Sequence, residues 1–170
     1  AGLQSILAVN GVPVFCDVDE VTLCIDLDKA EELITDKTKA IMIMDYSGNI
    51  CDYEKADNLS DRYDIRIVHD AAHSFGSTYK GKKIGSFSDI CIFSFDPVKT
   101  ITSIDGGALV VKSEQEGLRI SRLRQLGVTS LPNVNFWKGK VVDDDIIGEG
   151  FRYHMPNIHA AIGSQQLKKI

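Results

Sequence analysis

The chain has 170 residues, 44% hydrophobic and 25% charged, which suits one α/β domain with a substantial core and leaves no room for a second full domain. A formal net charge of -5, without a basic stripe or lysine cluster, argues against nucleic acids and membrane surfaces as partners. The apolar opening, residues 1–15, lacks a basic start and is interrupted by polar residues, glycine and proline. We therefore expect neither a signal peptide nor a membrane span.

The first part of the chain alternates helical and strand patterns. Apolar spacing predicts a helix over residues 1–10, with Asn10 and Gly11 as the helix stop. A strand is predicted at 12–18 and a short helix at 28–34. Residues 39–45 form a continuous apolar run of strand length, which is typical of a parallel strand buried on both faces.

The middle of the chain continues this alternation. A polar helix is predicted at 53–63 and a strand at 65–70. The glycine-punctuated stretch 74–85 suggests a small antiparallel excursion. Two more strands are predicted at 90–95 and 106–111, too close together for a helix in every connection. The pattern predicts an α/β fold with a mostly parallel sheet flanked by helices.

The last third contains two predicted helices around a long loop. The first helix covers 114–126 and ends before a glycine. Residues 128–150, rich in glycine and aspartate, are predicted to be an extended loop, and long loops in compact domains are usually functional or mobile. A final amphipathic helix is predicted at 157–169.

Four cysteines are scattered along the chain, mostly among apolar residues: Cys16, Cys24, Cys51 and Cys91. No CxxC pair is present, so neither a disulfide framework nor a zinc site is indicated. The pattern predicts reduced core cysteines in a cytoplasmic protein.

Polar residues follow two of the predicted strands. One strand leads to Asp70 and His73, and another leads to Ser94 and Lys99. In open α/β sheets, ligands bind just beyond the carboxyl ends of the strands, so these side chains are predicted to face one ligand. The proline and valine before Lys99 predict partly apolar surroundings for its amine, which favour a nucleophilic lysine.

Other interpretations of these residues are weaker. An aspartate at a strand end is often a cap or turn residue, and a loop lysine usually lies on the surface. His69 and His73 form an HxxxH pair, but the pair starts on a strand and lacks the glutamate of HExxH, so no metal site is expected. Ser94, His73 and Asp70 suggest a hydrolase triad, yet no GxSxG surrounds the serine.

Two strings carry a family resemblance: HDAAHSFGSTYKGKKIGSFSDICIFSFDPVK at 69–99 and IDGGALVV at 104–111. They resemble the pyridoxal-phosphate (PLP) enzymes of the DegT/DnrJ/EryC1/StrS group, the sugar aminotransferases. The likeness continues upstream through GVPVFCDVD and ITDKTKAIMIMDYSGNICDYEKA and downstream through GFRYHMPNIHAAIGSQQL, in the expected order. It implies the large domain of the aspartate-aminotransferase type of fold (fold type I).

The resemblance implies a role for each candidate residue. Lys99 falls where these enzymes attach their cofactor, and Asp70 matches the carboxylate that keeps the ring nitrogen of PLP protonated. Ala72 is small enough for the ring to lie against the backbone, and His73 stands near the ring hydroxyl. Ser94 matches a phosphate ligand.

Departures from the family pattern occur at three places. Asp96 replaces the histidine of SFHPTK, and Asp105 replaces the glutamate of EGG. Where relatives have GxNYRM, a loop that crosses the dimer interface to the neighbour's cofactor phosphate, Arg152 and His154 stand at or near the asparagine and arginine positions. The resemblance thus implies a homodimer in which Arg152 helps to bind the neighbouring cofactor.

The implied activity is transfer of an amino group, with glutamate as the expected donor, to a keto sugar attached to a nucleotide. Lys99 argues against the family's dehydratase branch, which has histidine there. Two alternatives stay open: a non-catalytic fragment or degenerate paralogue, and a PLP-dependent sugar-modifying enzyme of another kind. Relatives are about twice this length, so residues 1–170 are expected to be a partial large domain that lacks an N-terminal phosphate loop and a C-terminal small domain.

Overall fold

The computed structural model describes residues 2–129 and 145–170. In these parts the strands are β1 (Ala40–Met44), β2 (Arg66–Asp70), β3 (Thr78–Tyr79), β4 (Lys82–Lys83), β5 (Ile90–Ser94) and β6 (Gly107–Val111). The helices are α1 (Gly2–Ala8), α2 (Leu27–Glu32), α3 (Tyr53–Tyr63), α4 (Glu114–Leu123) and α5 (Asn157–Gln166), with a 3₁₀ turn at Leu167–Lys169. None of these described helices has the length and apolar character needed to cross a membrane.

A four-stranded sheet in the order β1-β2-β5-β6 forms the centre of the fold. The first two pairs are parallel, with Met44 opposite Asp70 and Asp70 opposite Ile92. The last pair is antiparallel, with Ser94 opposite Gly107. The predicted mostly parallel sheet is confirmed, and β6 runs antiparallel to β5 after a connection that contains no helix. The predicted antiparallel excursion is the β3–β4 pair.

Helix α3 covers one face of the sheet, and its bounds are those predicted. Its N-cap is Asp52, whose carboxylate accepts a hydrogen bond from the Lys55 N–H at 3.1 Å. Ala56 and Leu59 of this helix are buried in one core with strand residues such as Ile67. Burial of each large apolar side chain contributes about 1.5–3 kcal/mol, so this layer stabilises the fold.

The strand predicted at residues 12–18 is wrong. This segment forms no strand, and Val12 and Phe15 are 87% and 76% exposed. Only an isolated bridge joins Val18 to Ile25. An apolar run has β propensity, but a strand also needs a neighbour to complete its ladder, and in the described chain only Val18 of these residues makes a β-bridge.

The C-terminal helices agree with prediction, with differences at their ends. Helix α4 ends at its C-cap Arg124, before the predicted end, and Gly127 follows with a positive φ of 71°. Helix α5 and the 3₁₀ turn fill the predicted 157–169 range, but Ile158 is 68% exposed, so the expected inward face is not buried against this chain. The predicted loop at 128–150 lies mostly outside the described residues.

All four cysteines are free, as predicted. Cys24, Cys51 and Cys91 are buried, and Cys16 is half-buried. Burial, with a smaller effect of the nearby Asp45 and Asp70 charges, raises the pKa of the Cys91 thiol to about 12. Burial likewise raises the pKa of Cys51. These two thiols are therefore protonated packing residues rather than nucleophiles.

Candidate functional site

Asp70 and Ser94 end two neighbouring parallel strands and lie on the same face of the sheet. Their neighbours His69 and Phe93 are buried on the opposite face, whereas Asp70 and Ser94 are half-buried. One carboxylate oxygen of Asp70 accepts a hydrogen bond from the Ala72 N–H at 3.0 Å. The structure thus places a carboxylate, a small residue and a hydroxyl at the carboxyl edge of the sheet.

His73 lies beside them and is oriented by the loop that follows β1. Its Nδ1 accepts a hydrogen bond from the Ser47 N–H at 3.3 Å, and its ring lies 5.8 Å from that of Tyr46, centroid to centroid. In the neutral ring this acceptor role leaves the proton on Nε2. No hydrogen bond in the described chain joins His73 to Ser94 or Asp70, so these residues do not form a hydrolase triad.

Asp96 builds the turn that leads from Ser94 to Lys99. Its N–H donates to Ser94 Oγ at 3.4 Å, and its carboxylate accepts from the Val98 N–H at 3.2 Å. The Lys99 N–H then donates to the Asp96 carbonyl at 3.0 Å. The aspartate that replaces the family histidine therefore has a clear local role as a turn residue.

Lys99 is half-buried, and its amine makes no ion pair or hydrogen bond within the described residues. Two other lysines near the site differ: Lys80 pairs with Glu54 at 2.6 Å, and Lys83 donates to the Gly76 carbonyl at 2.9 Å. Pro97 and Val98, from which apolar surroundings were predicted for this amine, are both exposed, Val98 by 84%. Among these three lysines, only Lys99 has an amine without a partner in the part of the chain that the structure describes.

The β5–β6 connection returns the chain to the site through two adjacent glycines. The Phe95 N–H donates to the Gly106 carbonyl at 2.9 Å, and Gly106 has a φ of +131°, which favours glycine. A Cβ on Gly107 would lie 2.7 Å from the Phe93 carbonyl oxygen. Asp105 accepts from the Gly106 N–H at 2.7 Å and so shapes the same turn.

Arg152 is not brought to the other predicted site residues. Its backbone bridges Gln125 after helix α4, its side chain is exposed, and within the described chain no hydrogen bond or ion pair joins it to Asp70, Ser94 or Lys99. Met155, three residues later, packs on Gly106. The loop therefore approaches the β5–β6 connection, while its predicted action on a neighbouring subunit stays a prediction.

A buried polar cluster behind the site was missed in the sequence. Asp45, His69 and Ser74 are fully buried, and the carboxylate of Asp45 bonds both of the others. The HxxxH pair is thus divided between this cluster and the Ser47 loop, and the described residues contain no group of three or more potential metal ligands. A carboxylate directly after the apolar strand β1 was the signal available.

The electrostatics of Asp45 follow from this cluster. Burial by itself would raise the pKa of this carboxyl, but hydrogen bonds from His69, Ser74 and the Cys51 N–H outweigh it and lower the pKa below the usual value. Asp45 is therefore ionised at neutral pH, and its oxygens act only as acceptors.

A carboxylate, an imidazole, a hydroxyl and a lysine without a partner among the described residues lie at the carboxyl edge of the parallel strands, which is where open α/β sheets bind small ligands. The family model for the DegT/DnrJ/EryC1/StrS aminotransferase family matches residues 1–170. This chain belongs to the DegT/DnrJ/EryC1/StrS aminotransferase family.

Named relatives agree with this assignment. The chain is 36% identical over 170 residues to GDP-perosamine synthase of Caulobacter vibrioides, covering 100% of this chain and 43% of the relative. It is 35% identical to UDP-4-amino-4-deoxy-L-arabinose–oxoglutarate aminotransferase of Shewanella sediminis, covering 99% of this chain and 43% of the relative. The chain thus spans less than half the length of these relatives.

A solved structure supports the fold. The putative sugar aminotransferase Spr1654 of Streptococcus pneumoniae, in its PLP form, matches with a TM-score of 0.83 and 30% identity, covering 98% of this chain and 45% of that one. The same protein has also been solved in a PMP form. The fold is therefore that of the fold type I sugar aminotransferases.

Proposed function

We propose that this chain forms the cofactor-binding core of a PLP-dependent aminotransferase that acts on a nucleotide-linked keto sugar. One observation carries the proposal. At the carboxyl ends of the parallel strands β2 and β5, the structure brings together Asp70, His73, Ser94 and the turn that leads to Lys99. The printed names of the relatives support a nucleotide sugar as substrate. One name includes oxoglutarate, the keto acid of glutamate, which supports glutamate as the amino donor.

The residues present fit PLP. Asp70 keeps one carboxylate oxygen free of hydrogen bonds within the described chain. The side chain of Ala72, two residues further on, is only a methyl group and leaves space for the ring. His73 offers Nε2, Ser94 offers a hydroxyl, and Lys99 offers an amine that has no partner among the described residues. When bound, PLP supplies an electron sink for carbanion chemistry.

Each of these side chains would have its own role in binding PLP or in moving a proton. The free carboxylate oxygen of Asp70 would hold a proton on a ring nitrogen, and the Ala72 N–H fixes the angle of that carboxylate. His73 Nε2 would donate a hydrogen bond to a ring oxygen, and Ser94 Oγ would bind a phosphate oxygen. Lys99 Nζ would attach the cofactor through its amine and, once released, would move the substrate proton.

We propose further that this chain is a partial large domain within a homodimer. Relatives more than twice its length support a phosphate-binding segment and a small domain contributed from outside residues 1–170. Arg152 and His154 are exposed, and within the described residues neither bonds to Asp70, Ser94 or Lys99, which supports their reaching a neighbour's cofactor phosphate. The free buried thiols support a cytoplasmic location.

The test is to add PLP to the full-length enzyme, record its visible absorbance, and trap the bound cofactor with borohydride before peptide mapping. We expect a bound chromophore and a label on Lys99. Lys99→Ala should abolish the label, whereas the control Lys82→Ala, on the neighbouring hairpin, should leave it unchanged. A label on Lys80, Lys82 or Lys83 would contradict the role of Lys99, and a spectrum with no bound chromophore would favour the non-catalytic alternative.

A further inference from the structure

The buried cluster behind the site joins four elements through one carboxylate. Asp45 Oδ2 accepts hydrogen bonds from Ser74 Oγ at 2.5 Å, from the Tyr53 hydroxyl at 3.0 Å and from His69 Nε2 at 3.0 Å. Its other oxygen accepts from the Cys51 N–H at 2.9 Å. The Tyr53 hydroxyl also contacts the His69 ring.

Two members of the cluster flank the predicted cofactor residues. His69 directly precedes Asp70, and Ser74 directly follows His73, so Asp45 holds the segment 69–74 at both of its ends. The backbone adds a third attachment, because the Asp45 N–H donates to the Asp70 carbonyl at 3.1 Å. The segment is also bonded to strand β5, because the Ala71 N–H donates to the Ile92 carbonyl at 2.8 Å.

Stability alone does not account for such a cluster. Taking a carboxylate out of water is costly, and well-packed apolar side chains of similar volume are often as stable as a buried polar group or more so. A fully bonded polar network, however, accepts only one arrangement of its donors and acceptors and so fixes the backbone that carries them. Here that backbone bears Asp70, Ala72 and His73.

We propose that Asp45, acting through His69 and Ser74, is a positioning residue that fixes segment 69–74 and thereby aims Asp70 and His73 at the ligand. The expected effect of Asp45 on cofactor binding and turnover rests on the proposed function. Its role in fixing the backbone of residues 69–74 does not. Asp45 lies on the α3 side of the sheet, opposite the face of Asp70, so it acts without touching the ligand.

The test compares Asp45→Asn and the milder Ser74→Ala with Ile67→Val in the full-length enzyme. Ile67 is the matched control because it is buried on the same face of the same strand, two residues before His69, and carries no polar group. The first measurement is amide hydrogen exchange of residues 69–74 in the cofactor-free protein. We expect faster exchange in this segment in Asp45→Asn and Ser74→Ala but not in Ile67→Val.

The second measurement is the visible circular dichroism of bound PLP, together with kcat and KM. We expect Asp45→Asn to change the dichroism and to lower kcat on the order of 100-fold, since misplacement of a reacting group by about 1 Å has that effect. KM for the sugar should change little. If Ser74→Ala folds and behaves like Ile67→Val in both measurements, the inference is overturned.

The two proposals fail in different ways. If the parent enzyme binds no PLP, the proposed function fails, and the exchange data alone then decide whether Asp45 fixes the segment. If the parent binds PLP and turns over, but Asp45→Asn matches Ile67→Val in exchange, dichroism and kcat, only the positioning role fails.

Discussion

At Asp70 one carboxylate oxygen is occupied by the Ala72 N–H and the other makes no hydrogen bond within the described chain. Asp70→Asn keeps this shape but removes the charge that would hold a ring nitrogen protonated. We expect PLP affinity to fall modestly and kcat to fall far more, since only the carbanion-forming steps need the electron sink. Cofactor titration and steady-state kinetics of the full-length enzyme measure the two effects.

The control for this prediction is Asp57→Asn, the same change on an exposed position of helix α3. It should leave both PLP affinity and kcat at the parent values. Parent-like turnover in Asp70→Asn would show that this carboxylate has no electrostatic part in the reaction.

At the scale of elements, strand β6 can lie close to β5 because Gly107 has no side chain. A Cβ on Gly107 would lie 2.7 Å from the backbone oxygen of Phe93, and backbone has little freedom to move aside. We expect Gly107→Ala to lower the free energy of unfolding by about 1–3 kcal/mol. Because Ser94 lies opposite Gly107, cofactor affinity should fall as well.

Gly117→Ala in helix α4 is the matched control. Its Cβ would meet Val111 Cγ2 at 3.5 Å, an ordinary contact, and alanine is the better helix residue by about 0.5–1 kcal/mol. Thermal unfolding should therefore show opposite shifts in melting temperature for the two variants. A loss of stability in Gly117→Ala as large as in Gly107→Ala would refute the role assigned to the close β5–β6 approach.

For the whole molecule, buried thiols predict a loss of stability in alkali. Burial raises the pKa of Cys91 from 9.0 to about 12, so between these pH values the unfolded chain releases a proton that the folded chain retains. Stability from this group is complete below about pH 9 and is lost as the pH rises toward 12. The loss amounts to at most about 4 kcal/mol.

Urea unfolding between pH 7 and pH 11 measures this effect. Cys91→Ala should lower stability at pH 7 through lost packing but should flatten the alkaline decline. The control Ile67→Val should lower stability by about 0.5–1.5 kcal/mol at every pH and keep the parent slope. Equal slopes in all three proteins would mean that Cys91 does not titrate as described.

The exposed apolar residues also bear on the whole molecule. Val12, Phe15, Val98 and Ile158 are all more than two-thirds exposed in this chain. Exposed apolar surface of this kind marks interfaces or a liability to associate. We therefore expect residues 1–170, produced alone, to self-associate and to give no multiple turnovers with PLP, glutamate and a keto acceptor. Sedimentation velocity and amine-form absorbance test this, and repeated turnover by a monomer would contradict it.

The sequence by itself was enough to predict the elements whose signals are local. Helix α3 has a capping aspartate and apolar residues at helical spacing, and the strands β1, β2 and β5 are apolar runs of strand length. The grouping of Asp70 with Ser94 was also predictable, because parallel strands bring their carboxyl ends to one edge.

Tertiary structure decided the features that depend on a distant partner. Residues 12–18 have strand propensity but no neighbouring strand, and Lys99 follows apolar residues that the fold leaves exposed. The bond from Asp45 to His69 joins positions 24 residues apart, and only their burial on one face makes it form. Local pattern states what a segment prefers, whereas pairing and burial are set by contacts between segments, and these contacts created the polar cluster behind the site.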